Sequence, residues 1–176
     1  EAVTYARNFT DVDDKIIDKA TPITSIGSCF AVEIRHHLRN AKFNFINTQE
    51  SWAGSAEWGR VYTTKNLLQI FQYTFIEFLP KIRIIKSSRG YYDPYREGPF
   101  FQTEEAAEQE QLQHYKDSRQ ALTECEVLII TPGQNEAWIE REDGLAWVRR
   151  PQKETREALG EDRFTVKQFS LEENVK

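Results

Sequence analysis

A serine stands where an apolar strand, predicted over residues 23–26, gives way to an amphipathic helix that begins near Ala31. Gly27 precedes this serine and lets the chain turn tightly, which exposes the Ser28 hydroxyl at the carboxyl end of the strand. The first turn of a helix offers free backbone N–H groups and the positive end of the helix dipole, and both stabilise an oxyanion beside a nucleophile. Ser28 is therefore a candidate nucleophile, although serine is also among the preferred residues for capping a helix.

The chain contains two cysteines, Cys29 and Cys125. Cys29 is a rival nucleophile, because thiols at helix N-termini are reactive. It stands one position after Ser28, so we expect its side chain to point away from that of Ser28, and we prefer Ser28 as the nucleophile. If iodoacetamide labelled Cys29 faster than it labels a free thiol, the preference would pass to Cys29. Two cysteines at this spacing indicate neither a zinc site nor a disulfide framework, so a reducing, cytoplasmic location is expected.

Residues 26–31 resemble the signature of the GSCFA family, a group that looks related to the SGNH (GDSL-like) hydrolases. Further stretches resemble the family in the same order; they are residues 59–62 with 67–69, residues 92–96 and residues 131–138. The likeness runs from about residue 22 to residue 174. It implies an α/β fold, a three-layer α/β/α sandwich with a mostly parallel sheet (SGNH or flavodoxin-like), of which this sequence holds only part. It also implies a serine hydrolase or acyl transferase that acts on an ester, with an O-acylated saccharide as one example.

The resemblance assigns roles to particular positions. Ser28 matches the nucleophile, and residues 133–136 match a block that usually reads Gly-x-Asn-Asp, which makes Asn135 the implied oxyanion donor. Gly59 fits the glycine of an intervening block, whereas Gly54 lies close enough in sequence to leave that choice open. The resemblance thus implies that the oxyanion is held by the backbone N–H groups of Ser28 and Gly59 and by the side chain of Asn135.

The general base that the resemblance implies, a histidine in Asp-x-x-His, is not visible. The histidines are His36, His37 and His114, and none follows an aspartate by three positions. His36 lies eight residues after Ser28, or about 12 Å along a helix axis, which is too far for a hydrogen bond. His37 fails for the same reason, and His114 is expected to be solvated on a polar helix. We expect the base to lie beyond residue 176 in missing sequence; the alternative is a lost activity.

The N-terminal residues carry a second resemblance. Residues 5–17 are similar to the Arg-Asn-x-Thr-Asp-x-Asp-Asp-Lys-Ile-Ile stretch of cysteinyl-tRNA synthetase. Without that resemblance, they predict a strand over 2–8, an Asp/Thr-rich turn and a capped helix over 13–19. A gene fusion or a chimera would also give this join, so we divide the chain into residues 1–20, of uncertain origin, and a partial GSCFA/SGNH-like domain over 21–176.

Four short apolar runs predict strands, and helical patterns lie between most of them, which is typical of a parallel sheet with helices on both faces. The predicted strands are residues 23–26, 43–46, 82–85 and 127–130, and the main helices are 64–79 and 103–123, with a further helix from Leu171. The strand over 127–130 is expected to be central and buried, and to bring Asn135 to the same sheet edge as Ser28. The apolar residues of the first main helix are expected to form a core stripe; they are Leu67, Leu68, Phe71, Phe75 and Phe78. Trp138, Trp147 and the Asp143-Gly144 turn are expected to form a small hairpin or a loop that flanks the cleft.

Composition limits the remaining functions. The net charge is −5, with acidic and basic residues interspersed, so nucleic acid is not an expected partner. No apolar run approaches the roughly 20 residues that span a membrane, and no pattern indicates a cofactor or a metal. The expected partner is a small-molecule or saccharide ester. The alternatives are a catalytically silent carbohydrate-binding or scaffold domain, and a synthetase-linked segment that binds tRNA.

Overall fold

The computed structural model describes residues 17–49, 54–76 and 78–175. The strands within these ranges are β1 (Ile23–Gly27), β2 (Ile85–Ser87), β3 (Gly90–Tyr92), β4 (Val127–Thr131), β5 (Glu136–Glu140), β6 (Ala146–Trp147) and β7 (Phe164–Gln168). The α-helices are α1 (Cys29–Asn40), α2 (Thr64–Phe71), α3 (Glu104–Glu124), α4 (Lys153–Leu159) and α5 (Leu171–Val175). A π-helical turn (Gln72–Ile76) extends α2, and a 3₁₀ turn (Glu161–Arg163) precedes β7.

The centre of the fold is a parallel pair of strands. All five residues of β1 are buried, and β1 pairs with β4 in a register that runs from Ile23↔Val127 to Gly27↔Thr131. On its other edge β1 has a single parallel bridge, between Ile23 and Phe45. The predicted strands over 23–26 and 127–130 are confirmed, whereas residues 43–46 form this bridge instead of a strand.

Strand β4 is not the buried central strand that its β-branched residues predicted. Its residues are half-exposed, and Ile130 is 44% exposed. Within the described residues β4 pairs only with β1, so its second edge has no strand beside it. Val and Ile favour extended backbone at the edge of a sheet as well as at its centre, so composition does not reveal which position a strand takes.

The other strands form two antiparallel sheets. One is the β2–β3 hairpin, and the other has the order β6-β5-β7. Trp138 pairs with Trp147 across β5 and β6, which confirms the hairpin. The described residues therefore form a mixed α/β fold, and they do not confirm a three-layer sandwich with a mostly parallel sheet.

Helix α2 buries a different face from the one its apolar residues predicted. Leu68 is 50% exposed and Phe75 41% exposed, whereas Asn66 and Gln69 are buried. Those two amides bind the backbone of Ala146 in strand β6: Asn66 Nδ2 and Gln69 Nε2 donate to its carbonyl at 2.9 and 3.0 Å, and its N–H donates to Gln69 Oε1 at 2.6 Å. The predicted core stripe is wrong at Leu68, Phe75 and Phe78, which are exposed, whereas Leu67 does pack against the core. The buried amides satisfy the backbone of a short strand, and this fixes the orientation of the helix.

Helix α3 begins one residue later than predicted, after Thr103, whose hydroxyl accepts a hydrogen bond from the Ala106 N–H. One face of the helix is buried at three- and four-residue intervals; its members are Ala107, Gln111, His114, Ser118 and Ala121. Ala121 packs with Ile26 and Trp58 in the core cluster around β1. His114 is thus a buried residue, and the expectation that it is solvated was wrong.

Most of the N-terminal predictions lie outside the described residues. The strand over 2–8 and most of the helix over 13–19 belong to this group. Residues 17–19 are described and are not helical; Asp18 there accepts hydrogen bonds from the Ala20 and Thr21 N–H groups. Among the helices described, none combines the length and the apolar character needed to cross a membrane.

Candidate active site

Ser28 lies in the turn between β1 and α1 and caps the helix. It is 3% exposed, and its Oγ accepts a hydrogen bond from the Phe30 N–H at 3.4 Å. The same oxygen lies 3.4 Å from Thr131 Oγ1 at the end of β4. The Ser28 N–H donates to the Thr131 carbonyl at 2.8 Å. The hydroxyl therefore lies at the carboxyl ends of both parallel strands, and the Ser28 N–H is already used by the strand pairing.

Gly27 is needed at this turn because β4 passes very close to it. Its φ is +152°, and a Cβ placed there would lie 2.4 Å from Thr131 Oγ1 and 2.6 Å from the Thr131 carbonyl oxygen. No side chain fits at such a distance. The glycine of the motif thus allows the two strand ends, and with them Ser28 and Thr131, to approach each other.

The loop that carries Asn135 begins beside Ser28. A Cβ placed on Gly133 would lie 3.4 Å from Ser28 Cβ and 3.7 Å from Tyr62 Cδ1. The Gly133 and Gln134 N–H groups both donate to the Tyr62 carbonyl, at 2.8 and 3.0 Å. The structure thus brings together three of the stretches that resembled the family, although they are far apart in sequence.

Asn135 itself is exposed, and its carbonyl accepts a hydrogen bond from the Phe169 N–H at 2.6 Å. Within the described part of the chain its side-chain amide makes no hydrogen bond. The amide therefore does not bridge the backbone of its own turn, which was the structural alternative to a role as oxyanion donor.

The two glycines that compete for the second block lie in different surroundings. The Val61 N–H donates to the Gly27 carbonyl at 2.7 Å, so the segment that follows Gly59 runs past the end of β1. Gly59 is buried, and its N–H has no hydrogen-bond partner among the described residues. Gly54 packs instead against Trp58 and the Ser25 carbonyl, near the middle of β1.

The sequence profile of one family covers most of the chain: that of the GSCFA family matches residues 22–176. This chain belongs to the GSCFA family. No curated protein and no solved structure matches it. The match begins after the stretch that resembles a synthetase, so that resemblance stays a prediction.

None of the three histidines of this GSCFA chain contacts Ser28. His36 and His37 are exposed on α1. His114 Nδ1 lies 2.9 Å from Gln49 Oε1 and its Nε2 lies 3.4 Å from Ser118 Oγ. Burial and the nearby Arg96 guanidinium hold the pKa of His114 well below its ordinary range. His114 is therefore a neutral member of a buried polar network, not a base for Ser28.

The stretch over residues 92–96 belongs to the same network. Asp93 accepts hydrogen bonds from Gln111 Nε2 and the Tyr95 N–H, both at 2.8 Å, and Arg96 Nε lies 3.9 Å from its carboxylate. Arg96 also pairs with Glu110. Burial raises the pKa of Asp93 and lowers that of Arg96. These residues are structural, and their charges compensate each other inside the fold.

Cys29 is exposed, whereas Ser28 is buried. Adjacent residues at the helix start thus face different surroundings, in line with the expectation that the thiol points away from the serine. No group of three possible metal ligands occurs among the described residues.

A group of arginines was missed by sequence reasoning, and two of them, Arg149 and Arg150, line a cleft with Tyr62 and Gln134. Glu97 accepts hydrogen bonds from Arg60 Nε at 2.7 Å and from the Arg60 backbone N–H at 3.1 Å, and it also pairs with Arg149. Arg149 and Arg150 are adjacent and exposed. The one available signal was this Arg-Arg pair close to the predicted Trp147 hairpin, but nothing in the sequence placed it near Ser28.

Proposed function

We propose that this GSCFA protein is a serine hydrolase or acyl transferase that acts on an ester, with Ser28 as the nucleophile. The observation that carries the proposal is the close approach of the turn at Gly133 to the turn at Ser28, where a Cβ placed on Gly133 would lie 3.4 Å from Ser28 Cβ. Two turns that resemble separate blocks of a hydrolase site thus meet at the carboxyl ends of paired parallel strands. That is the usual position of active sites in α/β sheets.

The proposed chemistry has two steps. Ser28 Oγ attacks the acyl carbonyl and loses its proton to a base, and the C–O bond to the alcohol breaks as the alcohol takes up a proton. Water or a second alcohol then attacks the acyl-serine and releases Ser28. The described residues do not contribute the base, so the proposal requires one from outside them.

Two donors are available for the oxyanion. The buried Gly59 N–H and the exposed Asn135 amide have no hydrogen-bond partner among the described residues, and an unpaired buried N–H is rare unless a ligand or water binds it. The Gly59 segment also borders Gly27, which favours Gly59 over Gly54 for this role. The Ser28 N–H would first have to release the Thr131 carbonyl.

The test is covalent labelling of Ser28. The protein is incubated with a fluorophosphonate, with and without imidazole as an external base, and the adduct is located by peptide mass spectrometry. We expect an adduct on Ser28 that imidazole accelerates, that Ser28→Ala abolishes and that Cys29→Ala leaves unchanged. An adduct on Cys29, or no adduct with imidazole present, would overturn the assignment.

A catalytically silent ligand-binding domain is the second candidate. It is favoured by the hydrogen bonds that Ser28 already makes, from its N–H to Thr131 and from the Phe30 N–H to its hydroxyl. In that case Ser28 is only a helix cap, and the labelling experiment gives no adduct while the fold stays intact.

A further inference from the structure

A cleft of about 180 Å³ is lined by residues that border Gly133 and by the arginine pair. Its lining includes Tyr62, Gln134, Trp147, Arg149 and Arg150. Tyr62 and Gln134 border Gly133, and a Cβ placed on Gly133 would lie 3.4 Å from Ser28 Cβ. A substrate whose ester group approaches Ser28 past Gly133 would lie next to this cleft and to its two guanidinium groups.

The arginine end of this cleft carries an excess of positive charge. Arg149 and Arg150 also line a neighbouring cavity of about 70 Å³, together with Arg89. Arg60 and Arg149 share the single carboxylate of Glu97. Neither Arg89 nor Arg150 has a carboxylate partner among the described residues; their guanidinium groups lie 4.0 Å from the Phe100 ring and 5.3 Å from the Trp138 ring.

The one other carboxylate in the lining is that of Glu136. The two linings together hold four arginines and two carboxylates, which are Arg89, Arg96, Arg149 and Arg150 with Glu97 and Glu136. Of these arginines Arg96 is paired with Glu110, outside the two linings. The crowding also affects titration: burial, with the nearby Arg60 and Arg89, lowers the pKa of Arg149. Because the chain as a whole is acidic, with a net charge of −5, this local excess is opposite in sign to the protein and would be relieved by an anion.

We propose that the substrate of the Ser28 site carries an oxyanion group, which Arg149 and Arg150 bind in the cleft. Guanidinium groups bind carboxylate, phosphate and sulfate through paired N–H···O hydrogen bonds, so the shared chemistry is a planar or tetrahedral oxyanion. Arg149 is 55% exposed at its side chain and can reach a ligand while Glu97 keeps Arg60 as a partner. The statement that this anion is part of a substrate rests on the proposed function of Ser28.

The test measures binding and so does not depend on turnover. Inorganic phosphate, inorganic sulfate and glucuronate are titrated by calorimetry at fixed ionic strength, with glucose as the neutral control. We expect at least one of the three oxyanions to bind, and we expect glucose not to bind. The preferred probe distinguishes a phosphorylated, sulfated or carboxylated substrate.

The variants separate site binding from general charge. Arg150→Gln should weaken binding roughly tenfold, since one charge-assisted pair is lost, and Arg149→Gln/Arg150→Gln should abolish it. Arg150 makes no ion pair with any described residue, so Arg150→Gln tests the site without disturbing Glu97. Arg39→Gln, in the last turn of α1, is the matched control and should bind like the unaltered protein.

Two results would overturn the proposal: no binding of any of the three anions, or equal loss in Arg39→Gln and Arg150→Gln. Failure of the proposed function has a different signature. In that case oxyanion binding depends on Arg149 and Arg150 as expected, whereas Ser28 takes no fluorophosphonate. Ser28→Ala should leave oxyanion binding unchanged in either case, because the anion binds at the two arginines.

Discussion

Replacement of Gly59 by alanine tests the packing of Gly59 against Glu97, the carboxylate that pairs with Arg60 and Arg149. Gly59 has a φ of +69°. A Cβ there would lie 2.3 Å from Glu97 Cβ and 2.7 Å from the Glu97 carbonyl oxygen. Gly144 is a matched control within the same chain, because its φ of +66° is nearly the same and a Cβ there would meet no atom within 4 Å.

The difference between the two variants isolates the contact with Glu97. A left-handed conformation costs a non-glycine residue about 1–2 kcal/mol, partly offset by the lower entropy of the unfolded variant, about 0.4–1 kcal/mol. Gly144→Ala should therefore lose about 1 kcal/mol. Carbon atoms in contact are normally about 3.5–4.0 Å apart, so Gly59→Ala must also move the backbone of Glu97 by more than about 1 Å, at an overpacking cost of about 1–3 kcal/mol. We expect a total loss near 3 kcal/mol.

The assay is thermal unfolding followed by circular dichroism. For a domain of this size 1 kcal/mol corresponds to about 2–4 °C in Tm. We expect Gly144→Ala to lower the Tm by about 2–4 °C and Gly59→Ala by about 6–12 °C. Equal shifts for the two variants would refute the reasoning, because the approach of Glu97 to Gly59 would then cost nothing.

Three further predictions concern buried groups and the site. Because the fold lowers the pKa of His114, the unfolded chain binds a proton at this histidine more readily than the folded chain does. The free energy of unfolding should therefore fall as the pH drops from about 7 to 5, by at most about 1.4 kcal/mol per pH unit. Urea denaturation of His114→Gln at several pH values should show a weaker dependence of this free energy on pH. Gln69→Leu leaves the Ala146 N–H unpaired and should cost about 1–3 kcal/mol in urea denaturation, whereas Leu68→Gln on the exposed face should change stability by less than about 0.5 kcal/mol. Under the proposed function, Asn135→Ala should slow acetylation of Ser28 by 4-nitrophenyl acetate, in the presence of imidazole, by about 10²–10³; an unchanged rate would make Asn135 structural.

The elements predicted well are those whose local signals agree with each other. β1 is a short β-branched run, and α1 follows a glycine and a capping serine. The start of α3 after Thr103 rests on a capping hydroxyl and an acidic first turn, with Glu104 and Glu105 in place. Such local signals act within a few residues, so the sequence alone reveals them.

The predictions of burial failed where a residue far away in the sequence supplies the hydrogen-bond partner. The buried face of α2 was mispredicted because Asn66 and Gln69 bind Ala146, which lies 80 and 77 residues further along the chain. His114 was taken as solvated because its helix is polar, but its ring is matched by Gln49 from another segment and by Ser118. Polar residues can be buried when they find hydrogen-bond partners, and the identity of those partners depends on the tertiary fold.

The same argument explains why the sequence indicated the turn at Ser28 but not the arginines around Glu97. The motif glycines are local necessities: Gly27 permits the approach of Thr131. The arginines are brought in through a chain of contacts in which the Val61 N–H binds the Gly27 carbonyl and Glu97 joins Arg60 to Arg149. A motif search detects a glycine that a turn requires, but it does not detect contacts between residues that are far apart in sequence. The oxyanion proposal thus concerns Arg149 and Arg150, which lie outside the stretches that resemble the family.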